Sequence, residues 1–464
     1  MQQIDFSQGS IRRRILAVAT PMLIAQLLNL LYNIVDRIYI GKIPGEGTLA
    51  LASIGLCFPF VTLITAFANL FGLGGAPLCA MARGKGNRES AQGIMVNAGF
   101  MLLLSGAVLT VLGIAFHRPL LHLFGASEVT YPYASSYIVI YLIGTLCVML
   151  SLGLNPYINC QGFARTGMLT VALGAAANIV LDPIFIFALH LGVRGAAIAT
   201  VLSQLLSAAW VVKFLTGKKA ELKLDFRGFR PDWQCIQRIT VLGIASFVMS
   251  FTDTLVQVAC NATLRNFGGD LYISVMTVLN SVRQIAQTPV LAIADGASTA
   301  ISYNYGARLY RRTRDAIRFM TQIAIGYTML VWILVQIAIG YTMLVWILVS
   351  LFPALFIRIF NQDAELVAAA VPALHIYFFG FVMMAFQYSG QSTFRALGRA
   401  KYAVFFSLLR KAFIVVPLTL LLPYCWNLGV SGVFAAEPVS NCIGGLACYF
   451  TMRHVVMPEL KMEN

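Results

Sequence analysis

Five acidic residues lie inside long apolar stretches of this chain: Asp36, Asp182, Asp253, Asp295 and Glu437. A carboxylate in such a setting is costly unless it has work to do or a partner to hold. The first belongs to a stripe. Gln26, Asn29, Asn33 and Asp36 are spaced 3, 4 and 3 apart, so on a helix they share one polar face that cannot look at lipid. Asn178 and Asp182 are four apart and stack on one face of another segment, and Thr200 lies early in the next, at a matching depth. If these four groups converge, the carboxylate pair would share a proton or hold a small cation, because two bare negative charges in a low-dielectric pocket repel. Helix-to-helix hydrogen bonding is the plainer alternative for Asn178 and Thr200. A second polar set, Asp253 and Gln257 with Asn280, Gln284, Gln287 and Gln387, would line a cleft. Arg283 would either neutralise Asp295 or Asp253 or meet a substrate, and Glu437, followed by Pro438, reads as packing or a helix cap.

The elements that must position these groups are membrane helices. The chain is 59% hydrophobic and 11% charged, too apolar to cover a soluble surface. Twelve apolar stretches, each long enough to cross a bilayer core, recur at about 15–41, 50–78, 91–116, 133–159, 168–189, 193–215, 238–265, 272–303, 319–352, 370–393, 402–423 and 430–452. Helices satisfy every backbone group internally, as lipid requires, so the fold class expected is an all-α integral membrane protein. The net charge of +15 is explained by topology rather than by nucleic acid: with both termini cytoplasmic, most Lys and Arg fall on the cytoplasmic side.

The twelve helices divide into two pseudo-symmetric six-helix lobes, 1–215 and 235–464, joined by a cytoplasmic linker at 216–234. Gly74 and Gly84 match Gly296 and Gly306 at an offset of 222, while Pro119, Arg165 and Pro183 match Pro353, Arg399 and Pro417 at 234, and LGVRG at Leu191 matches LGVSG at Leu428 at 237. The offset jumps within the interval that holds a tandem duplication: the 14 residues QIAIGYTMLVWILV at 322–335 recur letter for letter at 336–349. The span 319–352 would be roughly 51 Å long as a helix, against about 30 Å of hydrocarbon. The second copy therefore reads as an insertion, recent or artefactual because it is unaltered, without a function of its own.

Other motifs carry little. The nine cysteines include no CxxC pair, FGLGG at Phe71 follows no strand, and there is no HExxH, nucleophile elbow or nucleotide loop, so an enzyme or an ATP-driven pump is unsupported.

QLLNLLYNIVDRIYIG (Gln26 to Gly41), NIVLDPIFIF (Asn178 to Phe187), GAAIAT (Gly195 to Thr200) and ISYNYGAR (Ile301 to Arg308) resemble the bacterial multidrug and toxic compound extrusion (MATE) transporters, as does the two-lobe arrangement. The resemblance implies a secondary multidrug antiporter in the cytoplasmic membrane of a bacterium, monomeric, with no cofactor and no metal beyond a transient Na⁺. It implies export of small organic, cationic or amphipathic compounds against H⁺ or Na⁺ by alternating access, a coupling site at Asp36, Asn178, Asp182 and Thr200, and a helix bend at Pro21. One branch of the family has a further cation site in the C-terminal lobe; Asp253 occupies its first position but Met384 stands at the second, which leaves the coupling in the N-terminal lobe. A lipid-linked saccharide flippase, related in architecture, is the alternative and would be expected to show a more basic cleft.

Overall fold

The computed structural model describes residues 3–329, apart from 42, 44–46, 124, 125, 127 and 129, and residues 372–462, apart from 374, 426 and 427. The second copy of the 14-residue repeat and the offset jump lie outside the described residues. The elements are helices α1 (Ile11–Gly41), α2 (Gly47–Gly84), α3 (Arg88–Leu123), α4 (Tyr131–Ile143), α5 (Thr145–Cys160), α6 (Ala164–Pro183), α7 (Gly192–Thr216), α8 (Trp233–Gly306), α9 (310–329), α10 (Met384–Ala396), α11 (Ala400–Leu408), α12 (Val416–Leu421) and α13 (Val430–Met462). Among the described residues seven helices are long and apolar enough to cross a membrane, or eight if α4 and α5, bent by 56° at Gly144, form one span. Large apolar side chains such as Val111, Phe116 and Phe413 point outward, as lipid contact requires.

The apolar runs form helices because lipid leaves no other way to pair their backbone groups, and proline marks where they deform. A π-helical turn, Ile184–Ala188, follows Pro183, and another, Leu409–Val415, precedes Pro417. Asp232 starts α8 as its N-cap, accepting hydrogen bonds from the backbone N–H groups of Gln234 (3.0 Å) and Cys235 (3.1 Å).

Helix α8 cannot be one straight rod. Asp253 and Arg283 are 30 residues apart, about 45 Å along a helix axis. Yet Asp253 lies 2.5 Å from Lys411, Lys411 lies 3.8 Å from Glu437, and Arg283 lies 3.0 Å from that same Glu437 oxygen. The chain therefore turns back between them, which agrees with the two separate stretches expected at 238–265 and 272–303.

The internal repeat is visible in the backbone. Left-handed residues occur at Gly86, Gly162 and Gly192 and again at Arg308, Gly398 and Gly429, at offsets of 222, 236 and 237. Equivalent helix-to-helix turns thus recur at the offsets of 222 and 237 that the sequence landmarks give, and at 236 where the neighbouring landmarks give 234.

The chain forms two compact units: Met1–Phe247 with Gly296–Thr313 and Arg395–Ala400, and Val248–Asp295 with Arg314–Phe394 and Lys401–Asn464. The first is held by a core that includes Phe71, Leu102, Tyr137 and Tyr157, and the Tyr157 hydroxyl donates to the Phe71 carbonyl at 2.8 Å. Its helices approach closely: a Cβ on Gly243 would collide with the Leu70 carbonyl, and one on Gly306 with the Met81 carbonyl. The N-terminal segment is strapped across this unit, with the Ile4 N–H donating to the Gly162 carbonyl (3.0 Å) and Arg312 donating to the carbonyls of Phe6 (3.0 Å) and Gly9 (2.8 Å). The linker is pinned by Glu221, which pairs with Arg83. The second unit packs Val256, Leu279, Phe378 and Phe434 into its own core.

Candidate functional site: a polar cavity and a buried charge cluster

Helices α1, α5, α6 and α7 enclose a cavity of about 210 Å³ in the first unit, and Gln26, Asn29, Asn155, Asn159, Asn178 and Thr200 are among its lining residues. Glycines make the enclosure possible. A Cβ on Gly167 would meet the Asn159 side-chain oxygen, and one on Gly174 the Ser207 hydroxyl, so glycine at both positions lets α6 lie against the polar faces of α5 and α7 without turning those side chains aside.

Asn178 donates from Nδ2 to Asp182 Oδ1 at 3.1 Å, and both residues are buried, as the spacing of four predicts. The carboxyls of Asp182 and Asp36 are in hydrogen-bonding contact. Asn178 Oδ1, Asp182 Oδ2, Asn155 Oδ1 and Asn159 Oδ1 are buried without a protein donor. A set of acceptor oxygens with spare capacity suits a proton, a small cation or a ligand rich in N–H and O–H groups. Asn33 is turned elsewhere, its Nδ2 donating to the Asn29 carbonyl at 2.6 Å. Pro21 is buried within α1.

The second polar set is split. Asp253 pairs with Lys411 at 2.5 Å, Gln287 accepts from the Tyr388 hydroxyl at 3.1 Å, Gln387 is buried with Nε2 3.5 Å from the Phe406 carbonyl, and Asp295 is half-buried. The side chains of Gln257, Asn280 and Gln284 lie outside the described residues.

Arg283, expected either to neutralise Asp295 or Asp253 or to meet a substrate, donates to Glu437. One expectation needs correcting. Glu437 is neither simple packing nor a cap: its Oε1 lies 3.0 Å from Arg283, 3.1 Å from Arg410 and 3.8 Å from Lys411, and Arg410 also donates to Asn441 at 2.6 Å. Arg410 and Lys411, which the sequence analysis did not single out, complete this cluster. The available signal was three cations inside apolar stretches, which had to find acidic partners. Among the described residues there is no group of three or more His, Cys, Asp and Glu side chains suited to a metal ion.

A model of the family described as MatE matches residues 21–184 and 245–421. The chain belongs to the MatE family. It is similar to the multidrug export protein MepA of Staphylococcus haemolyticus, 23% identical over 450 residues that cover 97% of this chain and 95% of that protein. It is also similar to an FAD transporter of Shewanella oneidensis, 25% identical over 458 residues covering 97% and 96%. Among solved structures, a MATE in complex with MaD3S superposes with a TM-score of 0.89 at 23% identity, covering 100% of this chain and 99% of that one. This MatE chain accordingly has the MATE fold, all-α with twelve membrane helices in two six-helix lobes, and is a membrane transporter rather than an enzyme.

Proposed function

We propose that this MatE chain is a secondary active multidrug efflux transporter, which couples inward movement of H⁺ or Na⁺ to export of small organic compounds by alternating access. The observation that carries the reading is the contact between the Asp36 and Asp182 carboxyls beside a cavity of acceptor oxygens. Two carboxyls in contact share a proton or a cation, since two bare charges at that separation repel. Export of more than one drug is supported by the likeness to the multidrug export protein, and the flippase alternative is not favoured by any relative named above.

In this reading Asp36, Asn178, Asp182 and Thr200 form the coupling site. A proton or Na⁺ arriving there neutralises the carboxylate pair, alters the bending of α1 near Pro21 and weakens the hold on drug. Substrate binding from the cytoplasm favours the reverse movement. Coupling requires that each ligand bind the two states with different affinity. The cavity acceptors suit cationic or amphipathic compounds, and Gln26 and Asn29 present that face. The protein works as a monomer in the cell membrane, with both termini cytoplasmic and no cofactor.

The test is dye efflux from proteoliposomes driven in turn by a pH gradient and a Na⁺ gradient. One gradient is expected to drive efflux and so to name the ion, and Asp36→Asn is expected to reduce it to the protein-free background. Efflux at the wild-type rate from a well-folded Asp36→Asn protein would sink the assignment.

A further inference from the structure

Among the described residues the charge cluster of the second unit does not balance. Arg283, Arg410 and Lys411 bring three cations, while Glu437 and Asp253 supply two carboxylates, and a single oxygen of Glu437 serves all three cations. Fixed charge at membrane depth is stable only when compensated, so the cluster carries one cation's worth of unanswered attraction for an anion. The geometry gives that attraction a direction. The Arg410 and Lys411 side chains are 7% and 5% exposed, whereas Arg283 is 16% and Asp253 50% exposed. The cluster therefore opens along its Arg283 and Asp253 edge and is sealed behind.

The charged edge is backed by aromatic rings, of which Tyr377 is itself buried. The Arg283 guanidinium carbon lies 5.9 Å from the centre of the Tyr377 ring, and Tyr388 stands nearby on the same unit, its hydroxyl donating to Gln287. Guanidinium beside aromatic rings offers forked hydrogen bonding to an oxyanion and stacking to a planar body. Arg410 and Lys411 sit on the π-helical turn Leu409–Val415, whose widened backbone places two consecutive cations toward one partner oxygen.

We infer that the cluster of Arg283, Arg410 and Lys411 is a substrate subsite for an oxyanion, so that the compounds carried include planar aromatic molecules bearing a carboxylate or phosphate. The inference rests on the reading of the chain as an exporter and names a substrate class for it. Glu437 holds the three cations together in the empty subsite, and Asp253 acts as the displaceable counter-charge at its edge. An arriving oxyanion takes over part of the Asp253 role and is bound by Arg283.

The test compares two dyes, anionic carboxyfluorescein and cationic ethidium, in proteoliposomes of neutral phosphatidylcholine, which excludes an anionic lipid headgroup as the source of the oxyanion. The readout is the ratio of gradient-driven carboxyfluorescein to ethidium efflux. Arg283→Gln is expected to lower the ratio at least tenfold, and Asp253→Asn, which removes the competing negative charge, to raise it. An unchanged ratio in Arg283→Gln, a lowered ratio in Asp253→Asn, or a wild type that moves ethidium alone would overturn the subsite. Should Arg283→Gln fail to fold, Asp253→Asn decides, because its half-exposed side chain is the more replaceable. If folded wild type moves neither dye, the exporter reading fails; carboxyfluorescein binding to the purified protein, followed by fluorescence anisotropy with and without Asp253→Asn, then decides the subsite by the same signs.

Discussion

The two halves of the repeat carry opposite polar chemistry on equivalent helices. At the offset of 234, Asn178 and Asp182 of α6 correspond to Ala412 and Val416, while Ala176 and Ala177 correspond to Arg410 and Lys411. At the offset of 237, Thr200 of α7 corresponds to Glu437 of α13. The first unit has a cavity lined by acceptor oxygens with no lysine or arginine among its lining residues. The second unit has Glu437 and Asp253 already engaged by cations of the chain itself. One scaffold thus supports two electrostatic outcomes: acceptors with no tethered cation among the lining residues, and acids closed by tethered ones.

That difference sets the largest expected effect. Asp182→Asn should reduce gradient-driven efflux to background, since the remaining carboxyl loses its acidic partner and Glu437 and Asp253 of the second unit are paired with cations. Efflux above a tenth of the wild-type rate in the Asp182→Asn protein would mean that the second unit can couple, and the contrast between the units would collapse.

A smaller but still large effect is expected on stability. Glu437→Gln would leave Arg283, Arg410 and Lys411 with Asp253 as their one remaining carboxylate in the cluster. Breaking a buried ion pair by removing one partner costs about 3–5 kcal/mol, because an uncompensated charge stays behind. Thermal unfolding in detergent should show a clear drop in midpoint. The matching change in the first unit, Thr200→Val, removes no charge and should cost less; equal losses would show that the cluster is not held by Glu437.

Packing gives the next effect. Gly243→Ala forces a methyl group against the Leu70 carbonyl, and overpacking of this kind costs about 1–3 kcal/mol. Gly93→Ala, where a Cβ meets nothing within 4 Å, is the control and should be neutral or slightly stabilising. A Gly243→Ala midpoint equal to that of the control would refute the close crossing.

What the sequence made readable follows the range of the interactions. Membrane helices are local and apolar, so the all-α membrane fold could be read directly, and the Asn178 to Asp182 hydrogen bond follows from a spacing of four. The charge cluster is another matter. Glu437 meets Arg283 across 154 residues and Arg410 across 27, and no spacing rule connects them. Four apolar segments held the ionisable groups of the cluster, but which cation would meet which acid depended on how those segments pack. The bend at Gly144 was also hidden: the stretch 133–159 is apolar throughout, and its break uses neither an internal charge nor a proline at the bend.

The smallest effect tests the repeat itself. Left-handed backbone occurs at Gly86 in the first half and at Arg308 in the second, where φ is 59°. An L-residue with a side chain pays roughly 1–2 kcal/mol for that conformation, which glycine adopts freely. Arg308→Gly should relieve that strain, but glycine also gives the unfolded chain about 0.4–1 kcal/mol of additional freedom, which opposes the gain. The expected net change is a stabilisation of about 0.5 kcal/mol, seen as a slightly raised unfolding midpoint. Gly86→Arg should move the other way by a similar amount. A lowered midpoint in Arg308→Gly would mean that the arginine side chain holds the turn through contacts that its counterpart never needed, and that the two halves have diverged at this turn as they have at their charged sites.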